Sequence, residues 1–237
     1  MATDNIDWGA PRIHGELLKL GYKVSERTVS RYLSRLRPPK KSGNNWQTFL
    51  NNHRKGIAAM DFFTVPTLFF RQLYGFFIIR HDTRKIIHFG VTYHPTAEWV
   101  IEQLSIAFPE NGDGIEYMIM DRATSFSLKV RQTLKEFGIE AVRTSYRSPW
   151  QNGIAERWVG SCRRELLNHI IPFNEKHLYI LLSEYVDYYN KDRTHYSRDK
   201  EPPDERPVTT RQSPDDYVIA LPRCGGLHHK YIWASAA

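Results

Sequence analysis

The sequence predicts an α/β protein, a mixed sheet flanked by helices, with a small pair of helices ahead of it. Three observations predict it. Residues 57–65 (IAAMDFFTV), 73–79 (LYGFFII) and 86–93 (IIHFGVTY) are apolar runs rich in β-branched and aromatic residues. Their short connections are the pattern of an antiparallel meander. From residue 97 onward helical and strand periodicities alternate, and strands separated by helices pair in parallel. Ahead of both, residues 11–36 carry helical spacing alone.

In chain order, Pro11 opens a short helix at a position where its missing N–H costs nothing, and Gly21 ends it. Ser25 suits the N-cap of a second helix. Val29, Tyr32, Leu33 and Leu36 share one face of that helix, and Arg27, Ser30, Arg31, Ser34 and Arg35 the other. Helix, glycine-bearing turn and basic helix is the pattern of a helix-turn-helix, and equally of a helical hairpin with solvated arginines. Pro38-Pro39 and the polar stretch KKSGNN read as a linker over residues 37–52, whose Lys40 and Lys41 are in reach of phosphates. After the three strands, Ala97, Val100, Ile101, Leu104, Ala107 and Phe108 mark an amphipathic helix. Residues 115–120 form a strand ending at Asp121, and Phe126, Val130, Leu134 and Phe137 a helix stopped by Gly138. Residues 139–142 are a short strand. Pro149 and Gly153 then bend the chain into a basic helix that carries Glu156 and runs to about Ile170, and a long helix follows Pro172. From Asp192 the chain is charged and proline-rich, which predicts an extended course, and its last residues are too few for a domain. The boundaries that follow are a helix-turn-helix segment at 8–37, a linker at 38–55, a catalytic core at 56–191 and an extension at 192–237.

Over 237 residues, 41% hydrophobic composition excludes a disordered chain, and a net charge of +7 favours polyanionic partners, nucleic acid first. Two cysteines, Cys162 and Cys224, exclude a cysteine zinc site or a disulfide framework and fit a reducing compartment. Residues 1–7 lack a signal pattern, and no apolar run approaches the ~20 residues of a membrane span. The expectation is a soluble, cytoplasmic, nucleoid-associated protein with no membrane partner.

Three carboxylates carry the chemistry. Asp61 interrupts an apolar strand, Asp121 closes another, and Glu156 lies in the first turns of a helix. Burying an unpaired carboxylate costs several kcal/mol, so such a group is paired, protonated or bound to a cation. Two aspartates on neighbouring strands, with a glutamate on a helix packed across them, form a candidate metal cage. Its oxygen-only ligands suit Mg²⁺ or Mn²⁺, two ions per site about 4 Å apart, and phosphodiester chemistry. The plainer readings stay open: Asp61 paired with a buried base, Asp121 capping a turn, Glu156 serving the helix dipole.

The stretches MDFFTVPT (60–67), VTYHPTAEW (91–99), DRATSF (121–126), SPWQNGIAERWVGSCRREL (148–166) and EYVDYYNKDRTHYS (184–197) resemble the integrase-core transposases of bacterial insertion sequences. WGAPRIHGEL (8–17) is similar to the helix-turn-helix segment of the same group. The resemblance covers most of residues 8–207. It implies a ribonuclease H-like core with an acid triad at Asp61, Asp121 and Glu156, and Mg²⁺-dependent cleavage at transposon ends. Transfer of the freed 3′-hydroxyl to target DNA follows by direct transesterification, in a homo-oligomer assembled on double-stranded DNA. Ala123 and Arg198 depart from the group's usual residues, and only seven residues precede Trp8, where relatives often carry a further helical segment. That leaves a second expectation, a truncated DNA-binding remnant without catalysis. The candidate DNA contacts are Arg27, Arg31, Arg35, Lys40 and Lys41 at the front and Arg157, Arg163 and Arg164 beside the triad. Phosphate contacts of this kind position a protein on DNA without reading sequence. Trp150 and Trp158 suit the core or a stacked base, and His94 and His195 a hydrogen-bonded role.

Overall fold

The computed structural model describes residues 1–2, 8–36, 42–109, 112–146 and 148–235, in two compact units, Met1–Phe49 and Leu50–Ala237. In the first unit, Pro11 sits at the start of α1 (Ala10–Lys19) and Gly21, with φ 86°, turns the chain toward α2 (Glu26–Leu36). Ser25 caps α2 as expected, its Oγ accepting from the Thr28 amide at 3.2 Å. Only Ile13 and Val29 are buried on the facing sides of these helices, and Leu36 stays 66% exposed. Of the stretch read as a linker, residues 38–41 lie outside the described residues, and the rest holds a helix, α3 (Ser42–Asn52), followed by a 3-10 turn at Arg54–Gly56. Trp46 and Phe49, three positions apart on one face, lie 5.4 Å apart, a helical spacing masked in the sequence by polar neighbours.

The second unit has the predicted order. β1 (Ile57–Pro66), β2 (Gln72–Arg80) and β3 (Ile86–Thr92) form the antiparallel meander. α4 (Ala97–Ala107), β4 (Tyr117–Met120), α5 (Leu128–Glu136) and β5 (Glu140–Arg143) alternate after it, and β1–β4 and β4–β5 pair in parallel. The five-stranded order is β3-β2-β1-β4-β5. Side chains alternate across each strand, so the sheet has two different faces. Ala58, Met60, Phe76, Ile78, Met118 and Met120 pack under α4 and α5. Phe63 and Phe77 turn the other way, onto Trp158 of α6 (Gly153–Glu165). Gly75, opposite Phe63, is required there, because a Cβ would fall 2.3 Å from the Phe63 ring.

α7 (Glu175–Lys191) caps its start with Asn174 and buries Leu178, Leu182, Tyr185 and Tyr189. The final residues, too few for a domain, form a hairpin of β6 (Tyr217–Arg223) and β7 (His228–Ala234) around Gly225 and Gly226, both at positive φ. Asp192, with its side chain 1% exposed, anchors it by ion pairs to Arg223 at 2.7 Å and Lys230 at 2.9 Å. Pro222 inside β6 is tolerated because the two-stranded sheet leaves an edge unpaired. No helix of the described residues is long and apolar enough to cross a membrane.

Candidate active site

Strand register brings two of the carboxylates together. Ile57, Ala58 and Ala59 of β1 pair with Tyr117, Met118 and Ile119 of β4. Continuing that parallel register by two places sets Asp121, the first residue past β4, beside Asp61 on the face that looks toward α6. Glu156 is exposed in the first turn of α6, two residues ahead of the buried Trp158 that seats this helix on the sheet. Asp61 is half-buried, and its carboxyl is pushed up to about 7. Burial is the main cause, opposed by the Phe62 amide, and the negative charges of Asp121 and Glu156 push further the same way. Asp61 is thus near enough to both acids for their charge to act on it.

The bonds around the carboxylates are specific. Asp61 Oδ1 accepts from the Phe62 amide at 2.8 Å, and Oδ2 accepts from Asn152 Nδ2 at 3.2 Å. Asp121 Oδ1 accepts from the Ala123 amide at 2.8 Å, so it does cap its turn. Among the described residues no lysine or arginine forms an ion pair with Asp61, Asp121 or Glu156. A buried basic partner for Asp61 is therefore not the arrangement found. Two further ties hold the loops: Gln151 Oε1 accepts from the Ser145 amide, and Arg122 Nε donates to the Thr144 carbonyl at 2.9 Å. They join the exits of β4 and β5 to the turn ahead of α6.

Asn152 is a residue the sequence reading passed over. It is 3% exposed, donates to Asp61, and leaves its own Oδ1 buried with no partner. A buried acceptor left unsatisfied beside three unpaired carboxylates is a place for a cation or a donor from a ligand. The donor set is all oxygen, which fits Mg²⁺ or Mn²⁺ and not zinc. As the side chains stand, no three histidine, cysteine, aspartate or glutamate groups among the described residues are gathered to enclose an ion. The signal for Asn152 was its place one helical turn before Glu156 in the motif SPWQNGIAE.

The other candidates are distributed as follows. Arg157, Arg163 and Arg164 are exposed on α6, and Arg163 Nη2 donates to the Thr64 carbonyl at 3.3 Å. Trp158 is core, whereas Trp150 is 53% exposed. Arg27, Arg31 and Arg35 are exposed on α2, with the last two over the Tyr32 ring. Lys40 and Lys41 lie outside the described residues. His195 is buried edge-on against Tyr189, and His228 stacks on Tyr188, so both serve structure.

Comparison with known proteins follows this geometry. Residues 137–203 match the family model described as integrase core domain. A chain of the simian T-cell lymphotropic virus intasome is similar over 76% of this chain and 67% of its own, with 12% identity and a TM-score of 0.52. The HTLV-2 integrase catalytic core domain in complex with magnesium, in its dimeric form, is similar over 64% and 95%, with 11% identity and a TM-score of 0.50. The BIV integrase catalytic core covers 63% and 91%, at 15% identity and a TM-score of 0.47. No curated protein matches the sequence. The chain therefore shares the fold of these integrase catalytic cores, and residues 137–203 match the integrase core domain family.

Proposed function

We propose that the protein is a DNA transposase of the integrase type, with Asp61, Asp121 and Glu156 as its acid triad. The observation that carries this reading is the shared face of Asp61 and Asp121, two unpaired carboxylates whose neighbour Glu156 stands on the helix crossing that face. Two bound divalent ions would supply a polarised oxygen nucleophile and offset charge at phosphorus. The chain's own contribution is orientation. Phe62 and Asn152 fix the Asp61 carboxylate from both oxygens, and Ala123 fixes Asp121. Arg157, Arg163 and Arg164, exposed on the same helix as Glu156, are contacts for the DNA backbone. By this reading the substrates are transposon ends and target duplex, the products are cleaved and joined strands, and the working form is a homo-oligomer on DNA, with α1 and α2 reading the ends.

The test is plasmid nicking with Mg²⁺ or Mn²⁺ beside Asp121→Asn. Nicking that needs the ion and falls at least a thousandfold in the variant is expected, on the order of the losses seen when a charge-stabilising group is removed. Equal nicking by both proteins would sink the triad. A folded, DNA-binding protein that never nicks would leave the DNA-binding remnant.

A further inference from the structure

We propose that the concavity between α6 and the segment following α7 is a phosphate-binding site, distinct from the carboxylate cluster. It is lined by Arg84, Arg157, Arg164 and Arg193 and by the hydroxyl-bearing Ser161 and Ser197, around a cavity of about 280 Å³. Trp158 and Ile79 make an apolar floor.

The charge in this pocket is not balanced from within the protein. Arg193 is held by Glu165, its Nη2 2.6 Å from Oε1 and its Nε 2.8 Å from Oε2, and Tyr185 donates to the same carboxylate. Glu165 is thereby committed. Among the described residues none of Arg84, Arg157 or Arg164 forms an ion pair with a carboxylate. Arg84 Nη1 donates to the His81 carbonyl at 2.7 Å, which aims the guanidinium while leaving its other donors open. Its backbone stands at φ 65°, a strained conformation for an arginine, in the turn that joins β2 to β3. Arg164 lies back along its helix, with Nη1 3.2 Å from where a Cβ on Gly160 would stand, so the glycine leaves it room. Burial and the nearby Arg54, Arg157 and Arg198 lower the Arg84 pKa, as expected of cations gathered without an anion.

Guanidinium forks match the oxygens of phosphate, and a group of them suits a doubly charged or bridging oxyanion better than a single carboxylate. The volume is at the low end for small-ligand sites, which fits a phosphate with part of its sugar. Two sources share this chemistry, a phosphodiester of a DNA strand and a free phosphate compound. The site shares Arg157 and Arg164 with the DNA contacts of the proposed function and to that extent rests on that reading, whereas Arg84 and Arg193 belong to the pocket alone.

The experiment compares the wild-type chain with Arg84→Ala, Arg84→Lys and, as a charge control outside the pocket, Lys135→Ala, each checked by thermal melting. Calorimetry reads binding of inorganic pyrophosphate, and titrations at several salt concentrations read binding of a short duplex. If the phosphate comes from DNA, Arg84→Ala weakens duplex binding about tenfold and lowers the salt slope by about 0.9, while Lys135→Ala changes neither. If the source is a free phosphate compound, pyrophosphate binding weakens about tenfold in Arg84→Ala, is partly kept in Arg84→Lys, and duplex binding is unchanged. Should both Arg84 variants unfold, Arg164→Gln reads the same pocket. Pyrophosphate that does not bind the wild type, together with duplex binding equal in all folded variants, would overturn the site. Neither readout needs turnover, so absence of nicking would count against the functional reading alone.

Discussion

The two faces of the central sheet are built from the same strands and differ in what they tolerate. Under α4 and α5 the face is mostly hydrocarbon, with Phe62 stacked on Phe126 at 5.5 Å, and the polar pair of His88 and Gln103, 2.9 Å apart, is satisfied within itself. Under α6 and α7 the same alternation presents Phe63 and Phe77 to Trp158, but also Asp61 beside Asp121. Buried atoms there lack partners, among them Asn152 Oδ1 and His81 Nε2. Orphaned polar groups cost stability, and the one at Asn152, next to the Asp61 carboxylate it donates to, leaves an acceptor free for a ligand. The first face holds the fold together, and the second holds the candidate site.

That contrast can be tested, starting with the largest effect. Trp158→Ala should cost about 4 kcal/mol and Leu104→Ala on the opposite face about 3 kcal/mol, read by chemical denaturation. A Trp158 loss below that of Leu104 would mean that α6 is not seated by its tryptophan. Next, burial and the charges of Arg84 and Arg54 hold His81 down to about 3, against an ordinary 6.5. Between these values the unfolded chain takes up a proton that the folded chain refuses, so stability present above pH 6.5 is lost as pH falls toward 3. Between pH 6.5 and 4 the loss is on the order of 3 kcal/mol, and His81→Gln should flatten the slope by that amount. An unchanged slope would place His81 in water.

The last effect has the opposite sign. Asp61 is raised to about 7, so between about pH 4 and 7 the folded chain keeps a proton that the unfolded chain has released. Its stability contribution is complete below pH 4 and gone as pH passes 7. In EDTA, Asp61→Asn should therefore gain up to about 4 kcal/mol on the wild type between pH 4 and pH 8. Added Mg²⁺ should reverse the order by stabilising only the wild type. A variant less stable than the wild type at pH 8 would mean that Asp61 is not under repulsion from Asp121 and Glu156.

Much of this was legible in the chain. Apolar runs rich in β-branched and aromatic residues and helical stripes marked the β-β-β-α-β-α-β order, because burial on each element leaves its own pattern in the sequence. Asp61 and Asp121 stood out because one broke and the other ended such a run, and Glu156, ordinary at a helix start, only beside them. α3 was missed because its apolar pair, Trp46 and Phe49, sits among polar residues that also suit a linker. The β6–β7 hairpin was missed because its ties to the rest of the unit are long-range, among them Asp192 with Arg223 and Lys230 and His228 with Tyr188.

By itself the sequence determined the elements, their order and the residues worth suspecting, since periodicity, caps and turn residues act over a few positions along the chain. Tertiary structure decided which of those residues meet. The parallel register of β1 and β4 set Asp121 beside Asp61, the turn ahead of α6 delivered Asn152 to that carboxylate, and α6, the β2–β3 turn and the end of α7 brought arginines more than a hundred positions apart around one pocket. Contacts of that kind depend on how elements pack and leave no local period in the sequence to read.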